Sequence, residues 1–269
     1  MSQTYDAVLA DMVAVAREAG ALTQRYFKDF RTLKVDLKGP ADFVSDADRQ
    51  SELLIRKYLF ERYPDWSFTG EEFDPVTGVD AKHRWLVDPI DGTTNFINGM
   101  HYTISIALRH GHETVCGALF NPVANEMFTA IKGQGAFLNG ERLSVSPQAD
   151  IGLMAIATGL PTSKLETWPG AYDRLAKITE AVGGVRTIGS SANCCAHVAC
   201  GRLTGYFEQS GLVDWAVGVL LVEEAGGVVT DWWGRGPEFY EKSGIVIVAN
   251  KATHAFLLDQ LKDAPGRTV

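Results

Sequence analysis

The sequence of 269 residues lacks the features on which membrane, secreted and nucleic-acid-binding proteins depend. No run of apolar residues approaches the roughly 20 that a membrane-spanning helix needs. The formal net charge is −8, so no excess of basic residues is present to bind nucleic-acid phosphates. Residues 1–20 contain Asp6, Asp11 and Glu18 and no basic segment followed by an apolar one, which is not the pattern of a signal peptide. We therefore predict a cytoplasmic protein that binds neither membranes nor nucleic acid.

Cysteine and zinc-binding patterns are also scarce. The four cysteines are Cys116, Cys194, Cys195 and Cys200, and they form no Cys-x-x-Cys pair. Neighbours such as Cys194 and Cys195 rarely form a disulfide with each other. The six histidines include no His-x-x-x-His pair. We predict buried free thiols in a reducing compartment, and no zinc site.

The composition is that of a globular protein, with 46% apolar and 22% charged residues. A chain of this length can bury one large core or two subdomains. No internal repeat, low-complexity tract or long linker interrupts it. We therefore predict two tightly joined subdomains, an N-terminal one at residues 1–145 and a C-terminal one at residues 146–269.

The N-terminal half predicts helices followed by an antiparallel sheet. Apolar residues from Val8 to Leu22 recur every three or four positions, which is typical of an amphipathic helix. Ser45 or Asp46 can cap a second helix, whose inner side would include Ile55. Short β-rich segments separated by turn residues then indicate an antiparallel meander. Its predicted strands are Thr103–Leu108, Thr114–Phe120, Glu126–Ile131 and Ala136–Leu138.

The C-terminal half alternates strand-like and helix-like segments, which predicts a mixed α/β subdomain. The predicted strands are Ile151–Ala157, Val185–Ile188, Leu203–Glu208, Val228–Asp231 and Ile245–Ala249. The predicted helices are Tyr172–Val182, Ala192–Ala199, Asp214–Ala225 and His254–Lys262.

The most informative segment is Trp85–Phe96. It begins as an apolar strand and then places Asp88 and Asp91 within one short turn. Gly92 and Thr93 follow, a pair suited to a tight turn and the first turn of a helix. Carboxylate oxygens bind hard divalent cations, and backbone N–H groups at a helix start bind phosphate. A turn with an N-cap would explain Asp91 and Thr93, but it would not explain two acids at the end of an apolar strand.

Further acids occur where predicted elements meet. Glu71 follows the apolar segment Trp66–Phe68, Asp214 opens a predicted helix, and Asp48 closes the segment Asp42–Asp48. Each acid taken alone could be a solvated surface group or a helix cap. Because they lie at the ends of elements, their side chains can converge on one cleft. The pattern therefore favours a site for metal ions and phosphate.

These segments resemble the inositol monophosphatase family. The matching motifs occur in the family's order between about Ala16 and Asn250. They are Asp-Phe-Val-Ser-Asp-Ala-Asp, Gly-Glu-Glu, Asp-Pro-Ile-Asp-Gly-Thr-Thr-Asn-Phe, and Asp-Trp-Ala-Val-Gly followed by Glu-Ala-Gly-Gly. The resemblance implies an α/β fold, a layered α+β sandwich. N-terminal helices plus an antiparallel sheet would form one part, a mixed α/β subdomain the other, and the active site would lie at their junction.

The resemblance also implies a Mg²⁺-dependent, lithium-sensitive phosphomonoesterase with two or three Mg²⁺ ions in the site. Glu71, Asp88 and the backbone carbonyl of Ile90 would hold one ion. Asp88, Asp91 and Asp214 would hold a second. The four carboxylates carry a total charge of −4, which two Mg²⁺ ions neutralise before a phosphate ester binds.

Catalytic and substrate-binding roles follow from the same resemblance. Asp48 and Thr93 would orient the attacking water, and Glu71 would be a further catalytic residue. The backbone N–H groups of Gly92 and Thr93 would bind the phosphate. Ser191 lies in a Gly-Ser-Ser-Ala segment that also fits a helix N-cap. The other positions assigned to the substrate are Asp91, Glu208 and Asp214.

Three departures from the family pattern affect the substrate side. Val213 precedes Asp214 and Trp215 follows it, whereas the family usually has Trp before that Asp. The spacing from Glu208 to Asp214 is one residue shorter than in the animal enzymes, which leaves the position of Glu208 open. The loop at Lys38 is also about one residue shorter, so a phosphate contact by Lys38 stays open.

The family is usually homodimeric, and the apolar meander Thr103–Leu138 would offer a partner chain a sheet surface. The substrate would be a small phosphorylated polyol or amino alcohol. Myo-inositol 1-phosphate is the leading candidate, with histidinol phosphate, fructose 1,6-bisphosphate and nucleoside 3′,5′-bisphosphate as alternatives.

Two other kinds of function compete with this reading. A haloacid-dehalogenase-type phosphatase fits poorly, because its Asp-x-Asp-Gly-Thr motif has one residue fewer between the acids than Asp88 and Asp91 have. A non-catalytic interaction partner of the transcription machinery is the alternative of another class. The presence of Glu71, Asp88 and Asp91 favours the enzyme.

Overall fold

A computed structural model describes residues 5–32, 34–39, 42–159 and 171–263. The helices are α1 (Asp6–Lys28), α2 (Asp46–Arg62), α3 (Thr93–Ile97), α4 (Ala171–Ala181), α5 (Ser191–Ala199), α6 (Leu212–Glu224), α7 (Pro237–Ser243) and α8 (Lys251–Leu261). The strands are β1 (Val35–Gly39), β2 (Asp42–Ser45), β3 (Trp66–Gly70), β4 (Asp80–Asp91), β5 (Thr103–His110), β6 (Glu113–Asn121), β7 (Glu126–Ile131), β8 (Gly135–Leu138), β9 (Glu141–Arg142), β10 (Ala155–Thr158), β11 (Gly184–Arg186), β12 (Gly205–Gln209), β13 (Val228–Thr230) and β14 (Ile245–Ala249).

The larger sheet has seven strands in the order β3-β4-β5-β6-β7-β8-β9. Strands β3 and β4 are parallel, and the later neighbours are antiparallel, so the predicted meander is confirmed as β5 to β8. Strand β4 is longer than its apolar part because its polar first half also pairs with β5, where His83 lies opposite His110. The parallel pair places the carboxyl ends of β3 and β4 side by side.

The smaller sheet has five strands in the order β11-β10-β12-β14-β13. Strand β10 is parallel to both β11 and β12, whereas β14 is antiparallel to both β12 and β13. This arrangement confirms the mixed α/β prediction for the C-terminal half. Strands β1 and β2 form a separate antiparallel pair directly before α2.

The helices and the two sheets pack as five layers. Helices α1 and α2 cover one side of the larger sheet, where Met12 and Ile55 share a cluster with Trp85. Helices α5 and α6 lie between the two sheets, and α4 and α8 cover the far side of the smaller one. Along β12, Tyr206 belongs to the inner cluster and Phe207 to the outer one, as the two-residue period of a strand requires. The fold is the layered α/β sandwich that the resemblance implied.

Helix α6 lies between the two sheets and packs against residues of both halves of the chain. Its residues from Trp215 to Val222 are all buried, because both sides of the helix face a sheet. Each fully buried aliphatic side chain of this kind stabilises the fold by about 1.5–3 kcal/mol. The inner cluster therefore contains residues from both halves, such as Leu119 and Val217. A division into subdomains at residues 145 and 146 stays a prediction.

Within the described residues, strand β5 leaves no open sheet surface for a partner chain. All residues from Thr103 to Arg109 are buried, by α1 on one side and α6 on the other. Strand β5 is therefore covered by helices of the same chain, whereas Thr129, Phe137 and Leu138 of β7 and β8 are half-buried, so a partner surface elsewhere on the meander Thr103–Leu138 stays a prediction. A homodimer stays a prediction from the resemblance.

The ends of some elements differ from the prediction because polar side chains decide them. Helix α8 begins at Lys251, earlier than expected, since the side chain of Asn250 caps it. The pattern predicts a strand from Ile151, but the Asp150 carboxylate accepts an N–H two residues on and starts a 3-10 turn. Helix α7 has only seven residues after its N-cap and begins with Pro237, and so short a segment has no recognisable period.

Two expectations from composition can be compared with the structure. Among the described residues, no helix is both long and apolar enough to cross a bilayer. All four cysteines are free: Cys116, Cys194 and Cys195 are buried and Cys200 is half-buried. Burial raises the pKa of the Cys116 thiol to about 12, so this thiol stays protonated.

We expect Gly117→Ala to destabilise the fold. A Cβ at this position would lie 2.9 Å from Cγ1 of Val217, so strand β6 and helix α6 would have to move apart. Overpacking of this kind costs about 1–3 kcal/mol. Urea unfolding should show the loss, and the control Gly152→Ala, whose nearest atom would be 3.4 Å away, should stay within about 0.5 kcal/mol of wild type. Equal stability of both variants would contradict the tight contact.

Candidate active site

The parallel strands β3 and β4 bring two acids together. Gly70 pairs with Val87, so the next residues, Glu71 and Asp88, lie side by side. A side-chain hydrogen bond to Glu71, in which the protonated Asp88 is the donor, contributes to the raised pKa of Asp88. Glu71 is exposed, whereas Asp88 is only 2% exposed. Asp88, a predicted metal ligand on β4, is therefore buried and lies beside the carboxylate of Glu71 at the exposed edge of the site.

Asp88 lies at the centre of a group of like charges. Burial raises its pKa well above the ordinary value, and the charges of Glu71, Asp91 and Asp214 raise it further. Its Oδ1 atom accepts the N–H of Ile90 at 2.9 Å. The structure thus brings together the four carboxylates that the sequence predicts as metal ligands.

Asp91, at the end of β4, is held by donors from two other elements. It accepts the hydroxyl of Thr103 on β5 at 3.2 Å, and the N–H groups of Ser191 and Ala192 at the start of α5 at 3.2 and 3.0 Å. The hydroxyl of Ser190 also donates to it. Despite these donors, burial and the nearby charge of Asp214 raise the pKa of Asp91 to about 7.

Gly92 turns the chain into the short helix α3. Its φ of 94° lies in the left-handed region, which glycine adopts without strain and other residues rarely adopt. The turn brings the Thr93 hydroxyl to 3.2 Å from Asp48 Oδ1 and 3.3 Å from the carbonyl oxygen of Ile90. Since the hydroxyl has one proton, it donates to one of these atoms at a time.

Asp48 is a buried carboxylate in the first turn of α2. It accepts the backbone N–H of Ser45 at 2.8 Å and the Ser45 hydroxyl at 2.6 Å. Burial raises the pKa of Asp48, although the donors Ser45 and Thr93 oppose that rise. The predicted pair of water-orienting residues is therefore in hydrogen-bond contact.

Asp214 reaches the group from the first turn of α6. It is half-buried, and its Oδ2 atom accepts an N–H from the N-cap of that helix at 2.9 Å. Its charge raises the pKa of both Asp88 and Asp91. Trp215 is 1% exposed and donates its indole N–H to the carbonyl of Ser210 at 3.3 Å. Trp215 follows Asp214, whereas the family usually has a tryptophan before this acid, and it is a core residue.

Ser191 and Glu208 form a hydrogen-bonded chain beside Asp91. The Ser191 hydroxyl donates to Glu208 Oε2 at 3.2 Å, and the Tyr206 hydroxyl donates to the same oxygen. The N-cap of α5 is Ser190, so the capping interpretation is wrong for Ser191. Although its spacing to Asp214 is shorter than in the animal enzymes, Glu208 still contacts the hydroxyls of Ser191 and Tyr206. The side chain of Lys38 lies outside the described residues.

The donor set has the chemistry that Mg²⁺ prefers, since it consists of carboxylate and carbonyl oxygens. Across the described residues, no group of three or more His, Cys, Asp or Glu side chains has the arrangement of a ready-made metal site. The charges of Glu71, Asp91 and Asp214 nevertheless all act on Asp88, so the four carboxylates share one electrostatic environment. The residues therefore fit a metal ion by their chemistry and charge.

Four supporting residues are absent from the site that the sequence predicts. Asn95 donates to the carbonyl of Ile188 at 2.7 Å and so ties α3 to the segment before α5. Ser190 could have been identified, since a serine directly before an apolar helix is a typical N-cap. The others depend on tertiary contacts that no local pattern reveals. The four are Ser190, Thr103, Asn95 and Glu52.

Comparisons with known proteins find relatives along nearly the whole chain. The sequence profile of the inositol monophosphatase family matches residues 4–265. An inositol-1-monophosphatase of Rhizobium meliloti is 40% identical over 247 residues, which are 91% of this chain and 92% of that protein. The Nus factor SuhB of Escherichia coli strain K12 is 37% identical over 259 residues, 94% of this chain and 96% of that protein. The crystal structure of the extragenic suppressor protein SuhB from Bartonella henselae superimposes with a TM-score of 0.91 at 38% identity, over 96% of this chain and 99% of that one.

Without a bound cation, we expect the fold to lose stability as the pH rises. The pKa of Asp91 is about 7 in the folded chain, against about 3.9 in an unfolded one. Between these values the folded state holds a proton that the unfolded state has released, so the free energy of unfolding falls with rising pH. The full difference corresponds to about 4 kcal/mol. Urea unfolding in chelator at pH 5 and pH 8 covers about two of these three pKa units, so it should show a loss of about 3 kcal/mol.

The control Asp46→Asn removes an exposed carboxylate and should keep the same pH slope. Mg²⁺ should restore stability at pH 8 much more than at pH 5, because ionised carboxylates bind the cation and protonated ones do not. Stability in chelator that is constant or rises between the two pH values would contradict the buried repulsion.

Proposed function

Because the chain belongs to the inositol monophosphatase family, it is a phosphomonoesterase, and we propose that it hydrolyses myo-inositol 1-phosphate in a Mg²⁺-dependent reaction. The observation that carries this proposal is the burial of Asp88 among three other carboxylates. Buried like charges destabilise a fold unless a counter-charge compensates them. Their presence at one edge of the sheet therefore favours a site whose working state contains cations.

In the proposed site, Asp88 would be a ligand of two Mg²⁺ ions. Glu71 and the carbonyl of Ile90 would hold one of them as well, and Asp91 and Asp214 the other. When bound, Mg²⁺ lowers the pKa of a water and offsets charge on the phosphate. Proteins usually bind Mg²⁺ through few ligands of their own, and waters fill the other positions around the ion.

Asp48 and Thr93 act on the attacking water in this proposal. The Thr93 hydroxyl can accept a hydrogen bond from the water while it donates its own proton to Asp48. Burial raises the pKa of Asp48, so its carboxylate accepts a proton more readily than an exposed aspartate would. Glu71, at the exposed rim, helps to keep the water in place.

The substrate lies between the carboxylates and the start of α5. Ser191 and Glu208 offer a hydroxyl and a carboxylate 3.2 Å apart, a pair that suits neighbouring hydroxyls of a polyol. Asp91 and Asp214 complete the contacts to the polyol, and the N–H groups of Gly92 and Thr93 bind the phosphate. Histidinol phosphate would instead offer its amine to Glu208.

The 37% identity to a protein named Nus factor SuhB supports a second candidate, binding to the transcription machinery. The two candidates predict different results. An enzyme releases phosphate in the absence of any partner, whereas a dedicated interaction protein forms a stable complex with a partner and releases none.

The purified protein should release phosphate from myo-inositol 1-phosphate with Mg²⁺, and release none in excess chelator. Ca²⁺ should inhibit, because it takes the same oxygen ligands with longer bonds and a higher coordination number. Inhibition by Li⁺ is expected as well. Phosphate release should be compared across histidinol phosphate, fructose 1,6-bisphosphate and nucleoside 3′,5′-bisphosphate. A higher kcat/KM for one of these would contradict the proposed substrate, and full activity in chelator would contradict the metal mechanism.

We expect Thr93→Ala and Asp48→Asn each to lower kcat by roughly 10²-fold, the usual contribution of a positioned proton acceptor. KM should change little, because neither side chain is proposed to contact the substrate and the Thr93 N–H that binds the phosphate is kept. The double variant should lose less than the product of the two single losses, since both side chains act on one water. The exposed neighbour variant Thr94→Ala serves as the control and should keep wild-type kcat. A large rise in KM with unchanged kcat would make the pair substrate-binding residues.

A further inference from the structure

Helix α2 contributes two buried carboxylates, one turn apart, to the edge of the larger sheet. Asp48 and Glu52 are both fully buried, and Asp48 points to Thr93 after β4. Glu52 points to a different segment, the residues after β3. Since β3 and β4 are the parallel pair, one rigid helix contacts the chain at the end of both strands.

Glu52 holds the backbone next to Glu71. Its Oε2 atom accepts the N–H of Glu72 at 2.7 Å. The N–H groups of Glu71 and Phe73 are also directed at this carboxylate, where they oppose the rise in its pKa that burial causes. Three successive amides of the segment after β3 therefore lie near one side chain of α2, and the Glu72 amide is hydrogen-bonded to it.

Gly70 leaves the space that the Glu52 carboxylate fills. A Cβ at this position would lie 2.1 Å from Glu52 Oε1 and 2.2 Å from its Cδ, far inside van der Waals contact. The carboxylate thus occupies the volume that any side chain at position 70 would need. Because no side chain fits at position 70, the first residue of the Gly-Glu-Glu motif is a glycine.

We propose that Glu52 is a positioning residue, which fixes the backbone of residues 70–72 so that Glu71 is held beside Asp88 as a metal ligand. This proposal rests on the proposed function for the identity of the metal. Its structural content is independent of that function, because the contact between Glu52 and Glu72 involves only atoms of this chain. Loss of the contact should free the segment and weaken the binding of Mg²⁺.

The first experiment measures Mg²⁺ binding by calorimetry, with the metal alone, for wild type, Glu52→Ala and Glu52→Gln. Removal of a residue that orients a metal ligand typically weakens affinity about 10-fold or more, which we expect for Glu52→Ala. The amide oxygen of Glu52→Gln can still accept the Glu72 N–H, so its affinity should stay within about threefold of wild type. Hydrogen exchange of the Glu72 amide, measured in chelator, should be faster in Glu52→Ala and close to wild type in Glu52→Gln.

The control Ile55→Ala removes a buried side chain one turn further along α2, away from the segment. It should lower the melting temperature through the cavity it leaves, yet keep wild-type Mg²⁺ affinity and Glu72 exchange. If Ile55→Ala weakened Mg²⁺ binding as much as Glu52→Ala, general destabilisation would explain both and the proposal would be overturned. Wild-type Mg²⁺ affinity in Glu52→Ala would overturn it directly.

The variant Gly70→Ala tests the same contact from the other side and does not require Glu52→Ala to fold. The new methyl group should push the Glu52 carboxylate away from the Glu72 N–H, so Mg²⁺ affinity should fall and the Glu72 amide should exchange faster. In the double variant with Glu52→Ala, the added methyl group should cause little further loss, since both changes break one contact. Unchanged affinity and exchange in Gly70→Ala would contradict the proposal. If wild type binds Mg²⁺ but hydrolyses no ester, the proposed function fails while these comparisons still decide the role of Glu52.

Discussion

Repulsion between carboxylates at the ends of β3 and β4 is the constraint to which the surrounding elements respond. The parallel register places Glu71 against Asp88, and α6 adds Asp214 to the group. Burial removes the water that would otherwise screen these charges, so the pKa of Asp88 rises well above its ordinary value. The folded chain therefore favours either protons or cations at this edge, and the conditions decide which it holds.

Helix starts offset part of this repulsion. The first N–H groups of α5 donate to Asp91, and the N-cap of α6 donates to Asp214. The N-terminal end of a helix also carries a partial positive charge, which favours a nearby carboxylate. These contributions are insufficient, because the pKa of Asp91 still lies at about 7. The remaining negative potential is what a divalent cation can neutralise, and this links the packing of the fold to the proposed chemistry.

Much of this arrangement could be predicted from local patterns. The apolar strand that ends in Asp88, the glycine turn at Gly92 and the acid that opens α6 are all visible in the sequence, because each reflects local backbone chemistry. The contacts between distant segments were not predictable in this way. Glu52 has the spacing of an ordinary helical acid, and only the packing of α2 on the sheet edge reveals its contact with the segment after β3. The cover of β5 by α1 and α6 was not predictable for the same reason, since amphipathic patterns do not say which helix of the same chain will cover a strand.

The most direct test of the repulsion is the stability of Asp88→Asn. An asparagine Oδ1 can still accept the N–H of Ile90, so the substitution removes the buried charge with little change in shape. In chelator at pH 8, urea unfolding should show a variant that is more stable than wild type, because the substitution removes a buried acid whose pKa is raised well above its ordinary value. With saturating Mg²⁺ the order should reverse, since the variant has lost the shared ligand. A variant that is less stable than wild type in chelator would contradict the account.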